Sequence, residues 1–183
     1  MRDLSLHLLD LMENSIRAGA STLQVSVELD QAADRLTLAV EDDGRGFGTA
    51  PEELADPFYT TKPGKKVGLG LSLFRATAEA AGGCLTLARS ALGGACVRAT
   101  LKLSHVDRQP LGDLAASLSS VVCTNPGLEL ICRLRAADGE CVIATASLAA
   151  ELPGRQPRGG LALARRVSER VKQGLANLKI EGT

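Results

Sequence analysis

Three side chains near the start of the sequence have the types and the spacing to do chemistry together. Asp10, Asn14 and Arg17 lie four and three residues apart in "LLDLMENSIRAG", residues 8–19. At about 100° per residue, that spacing puts a carboxylate, an amide and a guanidinium on one stripe of a helix. The stripe continues backward through His7 and Asp3, and Glu13 flanks it. Leu4, Leu6, Leu8, Leu9, Leu11, Met12 and Ile16 cover most other directions. A polar stripe is the ordinary wet face of an amphipathic helix. On a helix buried on its other sides, it instead aims an acid, an amide and a cation into a pocket. The helix alone allows both readings.

Two further segments bear on the choice. In "VEDDGRGF", residues 40–47, a strand ends in Asp42 and Asp43 and breaks into Gly44 and Gly46. Glycines let a ligand approach the backbone closely. A carboxylate held there can accept from an exocyclic amine, a charged hydrogen bond contributing about 1.5–3 kcal/mol. In "TTKPGKKVGLGLSL", residues 60–73, Lys62, Lys65 and Lys66 run into Gly68 and Gly70 and directly into a helix. Free N–H groups and the helix dipole make such a start an anion site. The order is not that of a P-loop, and no strand leads into the glycines as in a Rossmann turn.

The elements that must hold these residues are legible from periodicity. Helix 4–17 stops at Gly19. "TLQVSVEL" (22–29) and "RLTLAVED" (35–42) alternate as strands of a hairpin. A helix over 71–83 precedes strands at 84–90 and 95–104. Helices therefore cover one face of a mixed, mostly antiparallel sheet in a two-layer α+β sandwich. This unit is expected to span residues 1–105. Residues 106–183 read as a smaller α-β-β-α region: helix 111–122, strands "LELICRLR" and "ECVIATAS" around Asp138-Gly139, and helix 161–178. "PGKKVGLGLSLFRATAE" (63–79) and "PGRQPRGGLALARRVSE" (153–169) share several positions, an echo that a degenerate repeat or chance would explain.

Composition narrows the classes. Net charge is zero and aromatics make up 2% of the chain, with no Trp, which argues against nucleic-acid binding. No apolar run reaches the ~18 residues of a membrane span, and no secretion signal opens the chain. The odd set of five cysteines, without zinc-type spacing, reads as reduced thiols in apolar strands of a cytoplasmic protein.

With these residues in place, the chain resembles the GHKL superfamily, the ATP-binding domains of histidine kinases, type II topoisomerases, Hsp90 and MutL. The resemblance covers about residues 4–104. "ENSIRAGA" is similar to its N box, "DDGRG" to its G1 box, "DPFYTTK" to its F box and "GLGLSL" to its G2 box. The lid motif is most similar to that of nitrogen-sensor histidine kinases. The resemblance implies a Bergerat-type fold and the cofactors ATP and Mg²⁺. It implies that Asn14 coordinates Mg²⁺, that Arg17 lies near phosphate, and that Asp42 accepts from adenine beside Gly44 and Gly46. Phe58 would pack at the root of a lid whose Lys62, Lys65 and Lys66 reach the phosphates. Gly68, Leu69, Gly70 and Leu71 would line the phosphates at the helix start.

Asp10 stands where hydrolysing relatives carry Glu, and many histidine kinases carry Asn. His7 and His105 lack the H-E-x-[KR]-x-P context of a phosphoacceptor. The expectation is a kinase-type regulator acting on a protein partner in trans, without nucleic acid or membrane; a homodimer is left open. The alternatives are a slow ATPase switch and a non-catalytic nucleotide sensor.

Overall fold

The structure, a computed structural model, describes residues 2–47, 69–152 and 160–180. In order, the elements are α1 (Leu4–Arg17), β1 (Thr22–Asp30), β2 (Arg35–Asp42), α2 (Leu69–Ala80), β3 (Cys84–Arg89), β4 (Ala95–Lys102), α3 (Leu114–Thr124), β5 (Glu129–Ala136), β6 (Gly139–Ala144), α4 (Thr145–Ala150) and α5 (Leu161–Asn177). Among the described residues, no helix is long and apolar enough to cross a membrane.

The strands form one six-stranded sheet in the order β3-β4-β2-β1-β5-β6. Every neighbouring pair is antiparallel except β1–β5, which is parallel. Period-two alternation does the sorting. In β1, Leu23, Val25, Val27 and Leu29 are buried, while Thr22, Gln24, Ser26 and Glu28 are not. The helices share one face. Leu23 pairs with Asp42, which bonds α1, and Leu134 pairs with Val27 and meets Gly174 of α5. The fold is thus the mixed α+β sandwich that the sequence implies.

Residues 106–183 do not stand apart. Strands β5 and β6 extend the sheet through β1, and one hydrophobic cluster runs from Leu4 to Ile180. The start of α1 is fastened to the connection before α3: Leu4 N–H donates to Pro110 O at 3.0 Å and Ser5 N–H to Leu111 O at 2.8 Å. Asp3 caps α1 by accepting from Leu6 N–H, and Gly112 packs on Asp3 with no room for a Cβ.

The sheet order bears on the echo between residues 63–79 and 153–169. A tandem copy on the same face would repeat the strand sequence as β2-β1-β6-β5. The observed β2-β1-β5-β6, with helices on one face, has no rotation that superposes the two hairpins. The echo does not carry over into the fold.

Several boundaries differ from the sequence reading: α2 spans Leu69–Ala80 rather than 71–83, and β4 ends at Lys102 rather than 104. Helix α3 begins at Leu114 rather than 111, because Asp113 caps it by accepting from Ala116 N–H at 2.8 Å. Strand β6 ends at Ala144, and the short helix α4 takes up the residues read as its continuation. The cap of α4 comes from another strand: Glu129 accepts from Ala146 N–H at 3.2 Å and from the Thr145 hydroxyl at 3.1 Å.

All five cysteines are free. Cys132 and Cys141 share a face with Leu130, Leu134 and Ile143, as the hairpin register requires. Burial pushes the Cys132 thiol up to about 12, which keeps it an unreactive core group. Cys123 instead lies exposed on α3.

Thr145, 1% exposed, accepts from Leu130 N–H at 2.9 Å. Thr145→Val keeps the shape and orphans that amide. We expect a loss of about 1–3 kcal/mol in denaturant unfolding. An unchanged midpoint would show that the bond contributes nothing.

Candidate functional site

The C-terminal end of β2 meets α1 and the β3–β4 turn at a buried carboxylate. Asp42 is 3% exposed. A carboxylate so enclosed needs hydrogen-bond donors. Its Oδ1 accepts from Gly44 N–H at 2.9 Å and Ala95 N–H at 3.0 Å, and its Oδ2 accepts from the Ser15 hydroxyl at 2.5 Å. The Asp42 carbonyl accepts from Gly94 N–H at 2.9 Å. Two donors use up Oδ1, while Oδ2 retains one acceptor direction among the described residues. A single amine donor is what such a group can still take.

Glycines make this approach feasible. A Cβ on Gly94 would overlap the Asp42 carboxylate and lie 2.6 Å from both Asp42 O and Gly44 N. A Cβ on Gly44 would stand 3.2 Å from Ala18 O. Gly46 has φ of +68°, the left-handed region that glycine adopts without strain.

Asp43 has another task. Its carboxylate accepts from Ser21 N–H at 2.8 Å, Thr22 N–H at 2.9 Å and the Ser21 hydroxyl at 2.5 Å. Partial burial alone would raise its pKa. The bonds from the Ser21 hydroxyl and the Thr22 and Ser21 amides outweigh that and hold it down to about 2. Asp43 ties β2 to the start of β1, and Asp42 is the acid left for a ligand.

One turn away, Asp10, Asn14 and Arg17 form a chain along α1. Asn14 Nδ2 donates to Asp10 Oδ2 at 3.2 Å, and Arg17 Nη2 donates to Asn14 Oδ1 at 2.9 Å. The stripe is therefore neither idle nor scattered. Its acid abuts the first turn of α2, where a Cβ on Gly70 would overlap the Asp10 carboxylate. Ser15 and Asn14 are neighbours, so α1 serves the buried acid and the exposed triad together.

The structure gathers Asp10, Asn14, Arg17, Asp42, Gly44 and Gly46 around α1 and the end of β2, with Leu69, Gly70 and Leu71 opening α2. Phe58, Lys62, Lys65, Lys66 and Gly68 lie outside the described residues. His7 leaves the stripe: it is 2% exposed and stacks on Phe74. Ser15 and Gly94 were not singled out in the sequence. Ser15 sits inside "ENSIRAGA" next to Asn14, and Gly94 closes the "ALGG" turn; both become visible only when β2 brings Asp42 to them.

Residues 2–105 match the family model for histidine kinase-, DNA gyrase B- and HSP90-like ATPases. The chain belongs to this family. Its N-terminal part is the family's ATP-binding domain, related to those of histidine kinases. Sensor protein KdpD of Escherichia coli (strain K12) is 32% identical over 100 residues, covering 51% of this chain and 11% of that protein. Sensor protein RstB of the same strain is 36% identical over 92 residues, covering 47% of this chain and 21% of that protein. The chain thus spans a small part of either sensor's length. Among solved structures, the ADP complex of the Aquifex aeolicus MutL ATPase domain aligns with a TM-score of 0.42 at 16% identity, covering 94% of this chain and 70% of that one.

The residues fit the family's ligands. The free acceptor direction on Asp42 suits an adenine amino group. The Asn14 amide oxygen, with a second lone pair beyond its bond to Arg17, suits Mg²⁺, which takes few protein oxygens and completes its shell with phosphates and water.

The Asp43 bonds predict a pH dependence. A carboxyl lowered to about 2 from an ordinary 3.8 stabilises the fold fully above about pH 4. That contribution fades as pH falls toward about 2. Asp43→Asn should unfold with a shallower dependence across this window in acid titrations followed by circular dichroism. Superimposable slopes would refute the assignment.

Proposed function

We propose that the protein is an Mg-ATP-dependent, kinase-type regulator that acts on or with a partner protein in the cytoplasm. The observation that carries this reading is the acid at position 10, hydrogen-bonded to Asn14 and packed on the start of α2 within an ATP-binding domain. An acid there can orient an attacking water or hydroxyl as a general base. An amide in its place would only accept and donate hydrogen bonds.

In this reading, adenine donates to Asp42, whose Oδ2 is aimed by Ser15, while Gly44 and Gly46 let the base sit close. Asn14 holds Mg²⁺, which when bound neutralises charge on the phosphates. Arg17 lies where it can add positive charge beside them. The N–H groups opening α2 at Leu69, Gly70 and Leu71 face a developing negative charge with the helix dipole behind them. Lys62, Lys65, Lys66, Phe58 and Gly68 keep the roles that the family resemblance implies for them.

A second reading, a slow ATPase switch, is favoured by one observation. The first two amides of α1 are bonded to Pro110 and Leu111, so the helix that carries the nucleotide ligands is wired to the connection leading into residues 106–183.

The deciding experiment follows the γ-phosphate of labelled ATP with Mg²⁺, as free phosphate and as protein-bound label. For either enzymatic reading we expect Asp10→Asn to cut turnover by ~10²–10⁴-fold while nucleotide affinity stays within a few-fold. Asp42→Ala should abolish the preference for adenine over guanine nucleotides. Release of label as phosphate selects the switch. Label that stays on ATP despite saturable binding, and moves only when a partner is added, selects the trans-acting regulator. Full turnover in Asp10→Asn would remove Asp10 from the mechanism.

A further inference from the structure

His7 lies on α1 one turn before Asp10, yet it is buried away from the nucleotide site. Its ring stacks on Phe74 of α2 with centroids 4.8 Å apart and planes 14° from parallel. Its Nε2 lies 3.2 Å from Thr77 Oγ1. Its Nδ1 and Gln109 Oε1 make no well-aligned hydrogen bond, although the Gln109 side chain stands close enough to favour a proton on the ring. Among the described residues these are the two buried side-chain polar atoms so placed. Both residues line one cavity of about 290 Å³, together with Leu73, Thr77 and Asp107.

Helices α1 and α2 therefore meet on two rungs. The upper rung is Asp10 against Gly70, which has no room for a methyl group. The lower rung is His7 against Phe74 and Thr77. One helical turn separates the rungs on each helix, so a shift at the lower rung is carried to the first turn of α2. The connection that holds Gln109 also bonds the start of α1 through Pro110 and Leu111.

We propose that His7 is a positioning residue for nucleotide phosphate. Neutral, it clamps α2 on α1 with the start of α2 set for the phosphates; protonated, it weakens that clamp. The proposal rests on nucleotide binding at the site described, and not on hydrolysis or transfer.

The charges around His7 give the sign. Burial is the largest influence and lowers its pKa below the ordinary 6.5. Asp10 and Asp3 on its own helix oppose this, as does the Gln109 side chain. Asp107 lines the cavity from the connection. Helix α2 presents uncharged Phe74 and Thr77, with Arg75 and Glu79 not among the lining residues, and α3 carries no charged side chain. A histidine with a lowered pKa favours the clamped state above about pH 6.5, and this preference is lost as pH falls below that value.

Linkage makes the test direct. If the clamp favours phosphate, bound phosphate must disfavour the proton on His7 by the same factor. The chain has two histidines, so imidazole nuclear magnetic resonance resolves both, with His105→Gln as the assignment control. Saturating Mg-ADP should lower the His7 midpoint by about half a unit or more, equivalent to ~3-fold in affinity. Adenosine, which lacks phosphate, should leave the midpoint in place. In parallel, His7→Phe retains an aromatic stack on Phe74 and cannot titrate. The ratio of wild-type to variant dissociation constants for Mg-ADP should rise as pH falls from about 7.5 to about 5.5, the ligand's own titration cancelling. An unmoved His7 midpoint at saturation, or an equal shift with adenosine, would overturn the proposal. Failure of either ligand to bind would instead overturn the reading of the site.

Discussion

A carboxylate buried at the end of a strand must be answered by hydrogen-bond donors, and the N-terminal half of this molecule is arranged around that requirement. Asp42 draws its donors from the last turn of α1, the loop after β2 and the first residue of β4. Leaving such a group without them would cost several kcal/mol. Each donor comes from a different element, so satisfying one side chain fixes helix, loop and the start of β4 relative to β2. The same acid keeps one acceptor direction free. The group that organises the local fold is thus also the group that can recognise a base, and the position of the site follows from the fold's own electrostatic need.

Neighbouring acids divide the remaining work by what surrounds them. Asp43 is consumed by the Ser21 hydroxyl and two backbone amides and becomes a tie between strands. Among the described residues, Asp10 accepts only from the Asn14 amide, at 3.2 Å, and keeps acceptor capacity. Charge alone does not distinguish these carboxylates; the number of fixed N–H and O–H donors does. Gly70 completes the arrangement by letting α2 begin against Asp10, so the acid and the amides at the helix start belong to one surface.

What was legible in the sequence were the features whose causes are local. The alternation in β1 and β2 and the 4-and-3 spacing of Asp10, Asn14 and Arg17 are decided within a few residues. The same is true of the register that puts Cys132 and Cys141 in the core. Features decided at a distance were not legible. Ser15 aims Asp42 across 27 positions, and Ala95 donates to it across 53. Helix α4 is capped from β5, so nothing in "ECVIATAS" announces where the strand stops. His7 fits the polar stripe by spacing, but its partner Thr77 lies 70 positions away and draws it into the seam between the helices.

The same distance effects join the two halves of the chain. β1 is the shared strand, antiparallel to β2 on one side and parallel to β5 on the other. It places the end of β2, with Asp42 and the following Asp43, in the same sheet as β5 and β6. α1 is fastened at its start to residues 110–111 and in its last turn to Asp42. A displacement of α1 large enough to matter at the nucleotide must therefore strain Asp42's bonds, break the two amide bonds to the connection, or carry the connection with it. The first leaves a buried charge unsatisfied, and the second leaves Leu4 and Ser5 amides, both on buried residues, without acceptors. Moving the connection exposes neither, so it is the least costly response, and it passes the displacement toward α3 and the strands beyond.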